Sequence, residues 1–450
     1  MLARAQLRII GVASLAGLLF GFDTAVIAGA TLALRVNFDL SPAGLGMAVS
    51  AALWGTLCGA LFLGKPGDRF GSRTLLRFIG ALYAVAAIGS ALAGSLSSFV
   101  VFRFAIGVAI GGSSVLAPVY IAELSPADRR GSLVSLFQVN IVAGILLAYV
   151  SNFALDGLLT AAVAWRWKFA VAAVPSAAFL VALWFIPHSP RWLISQGREQ
   201  EATASLVRLG DTNPVATVAA IVQSASAGEG ARAASLSWRL HRWPIMLAVG
   251  LALFNQFSGI NAILYYLGDI FRAAGFGTAS ADAQSIAIGV TNLIGTLIAM
   301  ALIDRVGRRR LLLIGSVGMA IAQFGVAAIL WTGLHRGGLL WLLMLFIVSF
   351  AISQGAVIWV YLSEIFPTPV RARGQSLGSA THWLANAVIS SGFPMVAALS
   401  QAVPFACFGF MMALQFGLVL YCLPETKGVV LEHMEAAMHA RAPVSGSNPA

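Results

Sequence analysis

Runs of about 20 mostly apolar residues, the length that carries a helix across a bilayer, recur twelve times along this chain of 450 residues. They centre within residues 8–30, 43–64, 75–94, 98–120, 133–155, 169–187, 244–268, 283–303, 311–333, 339–362, 375–398 and 403–423. In hydrocarbon every backbone N–H and C=O must bond inside the protein, so apolar runs of this length span as helices. Only 10% of the residues are charged, against about 25% in soluble domains, which leaves too few to cover a water-facing surface. The expectation is an all-α membrane protein with twelve transmembrane helices. The first run resembles a secretory leader, with Arg4 and Arg8 ahead of apolar residues that end in small ones at Ala28 to Ala30. Asp23 interrupts it before any cleavage position, so a retained first helix is expected.

A net charge of +11 would suggest an acidic partner such as nucleic acid in a soluble protein. Sorted by loop, the charge reads differently. With the N-terminus in the cytoplasm, 22 of the 28 Lys and Arg fall on the cytoplasmic side, five fall outside, and Arg103 lies within a span. That is the bias of the positive-inside rule, so the charge reports topology, and no nucleic acid is expected. The predicted location is an inner (plasma) membrane, multi-pass, with both termini cytoplasmic. Cys58, Cys407 and Cys422 sit singly in apolar runs, without the spacing of a disulfide framework or metal site. No cofactor or metal is expected, and no nucleophile motif or phosphate loop points to an enzyme.

One long connection divides the spans six and six. The predicted units are an N-terminal six-helix bundle over 1–187, a cytoplasmic linker with short helices over 188–243, a C-terminal six-helix bundle over 244–423, and a cytoplasmic tail over 424–450. The halves repeat. Asp68-Arg69-Phe70-Gly71-Ser72-Arg73 follows the second span, and Asp304-Arg305-Val306-Gly307-Arg308-Arg309 follows the eighth, 236 residues on. Glu123-Leu124-Ser125-Pro126 with Arg130 follows the fourth, and Glu364-Ile365-Phe366-Pro367 with Arg371 follows the tenth, 241 residues on. Two motifs shifted almost equally, in the same order, indicate a duplicated six-helix unit. In transporters such parallel repeats enclose a site near the membrane midplane.

Charges inside hydrocarbon are costly and mark function. Two lie deep in the spans, Asp23 in the first and Arg103 in the fourth, and they form a natural ion pair. It serves either as a structural bridge between two helices or as a proton switch, because separating the pair in an apolar site favours protonated Asp23. Uncharged polar residues also cluster. On the seventh span Asn255, Ser258, Asn261 and Tyr265 share one helical stripe, and Gln256 joins them only if the helix breaks near Gly259. His382 and Asn386 lie four apart beside Trp383, Gly355 and Trp359 lie four apart, and Gln138 and Asn292 complete the set. Singly, each amide could be interhelical glue. Together they suit a neutral polyol, because amides both donate to and accept from hydroxyls and a Trp face covers the apolar side of a sugar ring.

The chain resembles a sugar porter of the major facilitator superfamily. The likeness rests on FGFDTAVIAG from Phe20, GKPGDRFGSR from Gly64, WRWKF from Trp165 and PHSPRWL from Pro187. It continues in NQFSGINAILYY from Asn255, DRVGRRR from Asp304, WVYLSEIFP from Trp359 and PETKG from Pro424. The resemblance implies the major facilitator fold of two six-helix repeats and a monomer working by alternating access as a proton-coupled monosaccharide symporter. A facilitative uniporter and a non-transporting sugar sensor are the alternatives. It implies Asp23 and Arg103 as the proton-coupling pair. It places the sugar against Phe20, Gln138, Asn255, Gln256, Asn261, Tyr265, Asn292, Gly355, Trp359, His382, Trp383 and Asn386. It also implies a cytoplasmic gate of Asp68, Arg73, Glu123, Arg130, Asp304, Arg309, Glu364 and Arg371 that latches the halves. The implied partners are a neutral sugar or polyol, a proton and the lipid bilayer. Several residues depart from the family pattern. Asn255 stands where Gln is common, Gln354-Gly355-Ala356 where Trp-Gly-Pro is usual, His382 where an amide is usual, and His188 where the linker motif carries Glu.

Overall fold

The computed structural model describes residues 4–125, 130–228, 236–367 and 370–427, and the side chains of Arg130 and Asp304, both expected in the gate, lie outside the described residues. No strand occurs among the described residues. The N-terminal half contributes α1 (Gln6–Gly29), α2 (Pro42–Phe62), α3 (Ser72–Leu92), α4 (Leu96–Leu124), α5 (Leu133–Leu158) and α6 (Ala161–Phe185). The C-terminal half contributes α7 (Trp238–Tyr265), α8 (Thr278–Ile303), α9 (Arg308–Thr332), α10 (Arg336–Glu364), α11 (Arg371–Leu399) and α12 (Val403–Cys422). Eleven of these are apolar enough to qualify as spans on hydropathy. The exception is α11, whose His382, Asn386 and Ser390 lower its hydropathy and are all buried within the protein. The least apolar span therefore hides its polar side from lipid.

Local chemistry sets the helix ends. Ser41 accepts from the Gly44 N–H at 3.1 Å with Pro42 in the first turn, a position that needs no donor. Ser95 and Ser98 form a reciprocal capping box on α4. Between the halves run helices Pro190–Ser195, Glu199–Leu209 and Pro214–Gly228. The tail is described only as far as Lys427.

In lipid no hydrophobic force drives helix to helix, so close backbone packing does that work. Small residues permit it between α2 and α4. A Cβ on Gly107 would come within 1.9 Å of the Ala52 carbonyl oxygen, and one on Gly55 within 2.1 Å of the Phe104 oxygen. The α1–α5 contact is built alike, with Gly21 facing the Ile141 carbonyl oxygen and Gly144 facing that of Leu18. These two pairs position Asp23 on α1 and Arg103 on α4.

The halves meet toward the face opposite the linker. There α2 packs on α11 and α5 on α8, Gly46 lies against the Ser391 carbonyl, and hydrogen bonds cross. Arg272 Nη2 donates to Thr31 Oγ1 at 3.2 Å, and the Tyr149 hydroxyl donates to the Leu264 carbonyl at 3.1 Å.

Gly107→Val is expected to force α2 from α4 and cost about 3 kcal/mol, the upper part of the range for overpacking. A lower melting temperature in detergent is the readout. Gly94→Ala, whose new Cβ meets nothing within 4 Å, should melt as the parent does.

Candidate functional site

Arg103 Nη1 donates to Asp23 Oδ1, with the two residues only 2% and 4% exposed. The Arg103 guanidinium also lies 5.5 Å from the centre of the Phe169 ring. Its Nε has no partner among the described residues, so the carboxylate is the main compensation for a desolvated charge. Removing one member of such a pair strands the other at high cost. The pair is not sealed in the N-terminal half. It lines a void of about 10 Å³ together with Phe20, Thr24 and, from the opposite half, Tyr265.

Most of the polar residues expected at the sugar site form one connected group. At Gly259 the backbone turns left-handed, with φ of +77°, and splits α7 into two helical pieces. A side chain there would strike the Phe408 ring at 2.3 Å, so glycine is required on two counts. The break swings Gln256 round to Asn261, whose side-chain amide Nδ2 donates to Gln256 Oε1 at 2.9 Å. Gln256 Nε2 donates to Asn255 at 3.0 Å and lies 3.0 Å from His382 Nε2. The His382 ring lies 5.0 Å from Trp359 and 5.1 Å from Trp383, and Trp383 lies 5.5 Å from Phe20 across the interface. Asn386, one turn along α11, accepts from Ser390 at 3.1 Å and is 1% exposed. Gly355 ends a π-helical turn over Ala351–Gly355 that leads into the segment bearing Trp359.

Gln138 and Asn292 stand apart. The first is half-buried on α5 and the second buried on α8, and among the described residues no hydrogen bond joins either to the group. Two residues join it that the sequence reading did not place there. Asn255 Nδ2 donates to Gln354 Oε1 at 3.3 Å, and Gln354 Nε2 donates to Gln415 on α12 at 2.5 Å. The available signal was the substitution of Gln354 where the family carries Trp, because an amide buried in a bundle needs a partner.

At the linker face the gate residues bind within their own halves. Arg73 donates to the carbonyls of Leu183 and Trp184 at the end of α6, at 3.3 and 3.1 Å. Arg309 does the same on α12, to Val419 and Leu420 at 3.3 and 2.6 Å. Cations at helix C-termini complement the exposed carbonyls. Glu123 faces Ser189 and Arg191 of the linker, and the Asp68 carbonyl accepts from Trp192 Nε1 at 2.9 Å. Glu364 accepts from Arg308 at 3.0 Å and from Thr426 at 2.6 Å, and Arg371 Nε donates to the Phe366 carbonyl at 3.4 Å. Arg308, which the sequence reading left among plain loop charges, is thus the residue that pairs with Glu364.

Glu425 was missed as well. Its carboxylate accepts from the N–H groups of Arg308 and Arg309 at 2.9 and 3.2 Å and caps α9. The signal was a third repeat, because Pro424-Glu425-Thr426 follows Pro187-His188-Ser189 by 237 residues. His188 therefore stands where the other half carries its capping acid. It stacks on Trp192 at 5.1 Å, and Trp192 covers Gly71 at the start of α3. Burial, then the nearby charges of Arg73, Arg198 and Arg77, push His188 down to about 4, so it is neutral at physiological pH.

Two six-helix halves around a polar centre holding a buried ion pair define a membrane carrier of the major facilitator class. The sugar transporter family model, described as "Sugar (and other) transporter", matches residues 9–438. The chain is 36% identical over 466 residues to the D-xylose-proton symporter of Escherichia coli, covering 94% of each chain. It is 36% identical over 433 residues to the arabinose-proton symporter of Bacillus subtilis, covering 94% of this chain and 93% of that one. The xylose transporter of Escherichia coli in a partially occluded inward-open conformation superposes with a TM-score of 0.84 at 34% identity, covering 95% of this chain and 100% of that one. The same symporter bound to 6-bromo-6-deoxy-D-glucose gives 0.79 at 35% identity, covering 97% and 99%. The chain belongs to the sugar transporter family.

Glu425→Ala is expected to cost about 1 kcal/mol, the usual value of a helix cap, and to lower the melting temperature. For His188 the unfolded chain binds protons more readily than the fold does. Its stabilising contribution is complete above about pH 6.5 and drains away as pH falls toward about 4. Between pH of about 7 and about 5 the parent should lose more thermal stability than His188→Gln.

Proposed function

We propose that this protein is a proton-coupled monosaccharide symporter of a bacterial inner membrane. It works as a monomer by alternating access, with both termini and the linker in the cytoplasm. The observation that carries the reading is the shared wall between its two centres. Phe20 and Tyr265 line the void that holds Asp23 and Arg103, and Phe20 also packs on Trp383 of the polar group. A sugar seated among the amides therefore presses on residues that border the ion pair. Protonation of Asp23 removes the charge that holds Arg103, and the linked movement of α1 relative to α4 couples proton binding to conformation.

The ligand group has the chemistry of a neutral sugar or polyol. Gln256, Asn261 and Asn386 supply donors and acceptors, His382 acts as a neutral hydrogen-bonding ligand, and Trp359 and Trp383 offer ring faces. Gln138 and Asn292 complete the site when the halves close. Relatives named for xylose and arabinose support a pentose, and one named for glucose supports a hexose. The positive-inside distribution supports the orientation. In the outward-facing state Asp68, Arg73, Glu123, Arg130, Asp304, Arg309, Glu364 and Arg371 latch the linker ends of the halves together.

The deciding experiment is uptake of labelled monosaccharides into proteoliposomes with and without an imposed proton gradient. The parent should accumulate sugar above its external concentration. Asp23→Asn should bind and exchange sugar yet fail to concentrate it, and retained gradient-driven accumulation would exclude Asp23 as the coupling group. Gln256→Ala should raise the half-saturation concentration about tenfold, the equivalent of one buried hydrogen bond.

A further inference from the structure

The amides of the polar centre are bonded in one direction. Asn261 donates to Gln256, Gln256 to Asn255, Asn255 to Gln354, and Gln354 to Gln415. A side-chain amide can exchange its oxygen and nitrogen by turning over, so a row of amides alone could run either way. One contact forbids the reversal here. Asn255 Nδ2 lies 3.4 Å from the main-chain carbonyl oxygen of Gln354 and 3.3 Å from its Oε1. A main-chain carbonyl only accepts, and turning Asn255 over would set its oxygen against another oxygen away from water. Asn255 therefore gives its NH2 to α10 and its oxygen to Gln256. The next link follows, because Gln256 then gives its NH2 to Asn255 and its Oε1 to Asn261.

The direction reaches the ligand side by two routes. Gln256 Nε2 also lies 3.1 and 3.0 Å from the two ring nitrogens of His382. It has only hydrogens to offer, so His382 meets it with the nitrogen that carries no proton, and the one N–H of the neutral ring is left to donate. At the head of the row Asn261 spends Nδ2 on Gln256, and its Oδ1 makes no hydrogen bond among the described residues. Asn261 is the partly exposed member, whereas Asn255, Gln256, Gln354 and Gln415 are each at most 2% exposed. The resemblance sets Asn255 against the sugar, yet both of its polar atoms are engaged within the protein. We propose that Asn255 and Gln354, the latter seated by Gln415 on α12, are positioning residues that set the donor–acceptor polarity of the sugar site, which offers an acceptor at Asn261 Oδ1 and a donor at the His382 ring. The ligand is then a sugar with one hydroxyl that donates and another that accepts, and Asn255 touches neither.

The inference rests on the sugar reading, and its test separates the two. The full-length protein in detergent is titrated with D-xylose, L-arabinose and D-glucose, then with the monodeoxy and monodeoxyfluoro analogues of whichever binds. Fluorine accepts weakly and cannot donate, and hydrogen does neither. At the hydroxyl that donates to Asn261, both analogues should bind about tenfold more weakly than the sugar itself, the equivalent of one buried hydrogen bond. At the hydroxyl that accepts from His382, the fluoro analogue should keep most of the affinity that the deoxy analogue loses. Gln354→Met leaves Asn255 only the main-chain bond, so it should weaken binding of the sugar and narrow the gap between fluoro and deoxy analogues at that second position. Gln415→Met should act in the same direction and serves where the first variant does not fold. Methionine variants that bind every analogue as the parent does, or weaken all of them by one common factor, would overturn the positioning role and leave the sugar reading standing. So would a parent in which fluorine rescues binding at every position or at none. A parent that binds none of the three sugars would overturn the sugar reading and the inference with it.

Discussion

A polar group in the hydrocarbon has no water to turn to, and the arrangement of this protein follows from that requirement. Asp23 and Arg103 satisfy each other, and the amides of α7 bond along a chain from Asn261 through Gln256 and Asn255 to Gln354 and Gln415. Lipid-facing surfaces carry side chains such as Phe78, Trp184 and Phe185. Polarity is thus concentrated along the line where the halves face each other. That is where a carrier needs groups that a hydrated ligand can exchange for its water.

Much of this was legible in the sequence, because membrane helices are written in a simple code. Twelve apolar runs gave twelve helices, and the break at Gly259 was visible because Gln256 fell off an otherwise regular stripe. What stayed hidden depended on three-dimensional partners. α11 reads as the least convincing span because its polar face is turned inward, a fact that hydropathy averages away. Glu425 looked like part of a tail until its carboxylate met the first N–H groups of α9. Arg308 could not be told from Arg309 or Arg310 by composition. Only the turn at Gly307, with φ of +96°, decides which guanidinium reaches Glu364.

The repeat is close but not identical, and the difference falls on its caps. In the C-terminal half a carboxylate holds the start of α9 and a threonine ties it to Glu364. In the N-terminal half an uncharged His188 and an indole occupy the same corner. The first arrangement is electrostatic and fixed by two backbone donors. The second relies on stacking, which tolerates sliding. The repeated frame is thus finished by different chemistry in its two halves.

The left-handed turn at Gly259 has one more implication. A straight spanning helix can only tilt or slide as a rod, so any movement at one surface is felt at the other. With the rod divided, the segment Ile260–Tyr265 takes its own direction against α1 and α11, while the longer piece packs on α11 and α12. A continuous rod would hold all its side chains in one register, whereas the divided one turns Asn261 back onto Gln256 and brings two polar stretches of the same span to a single point.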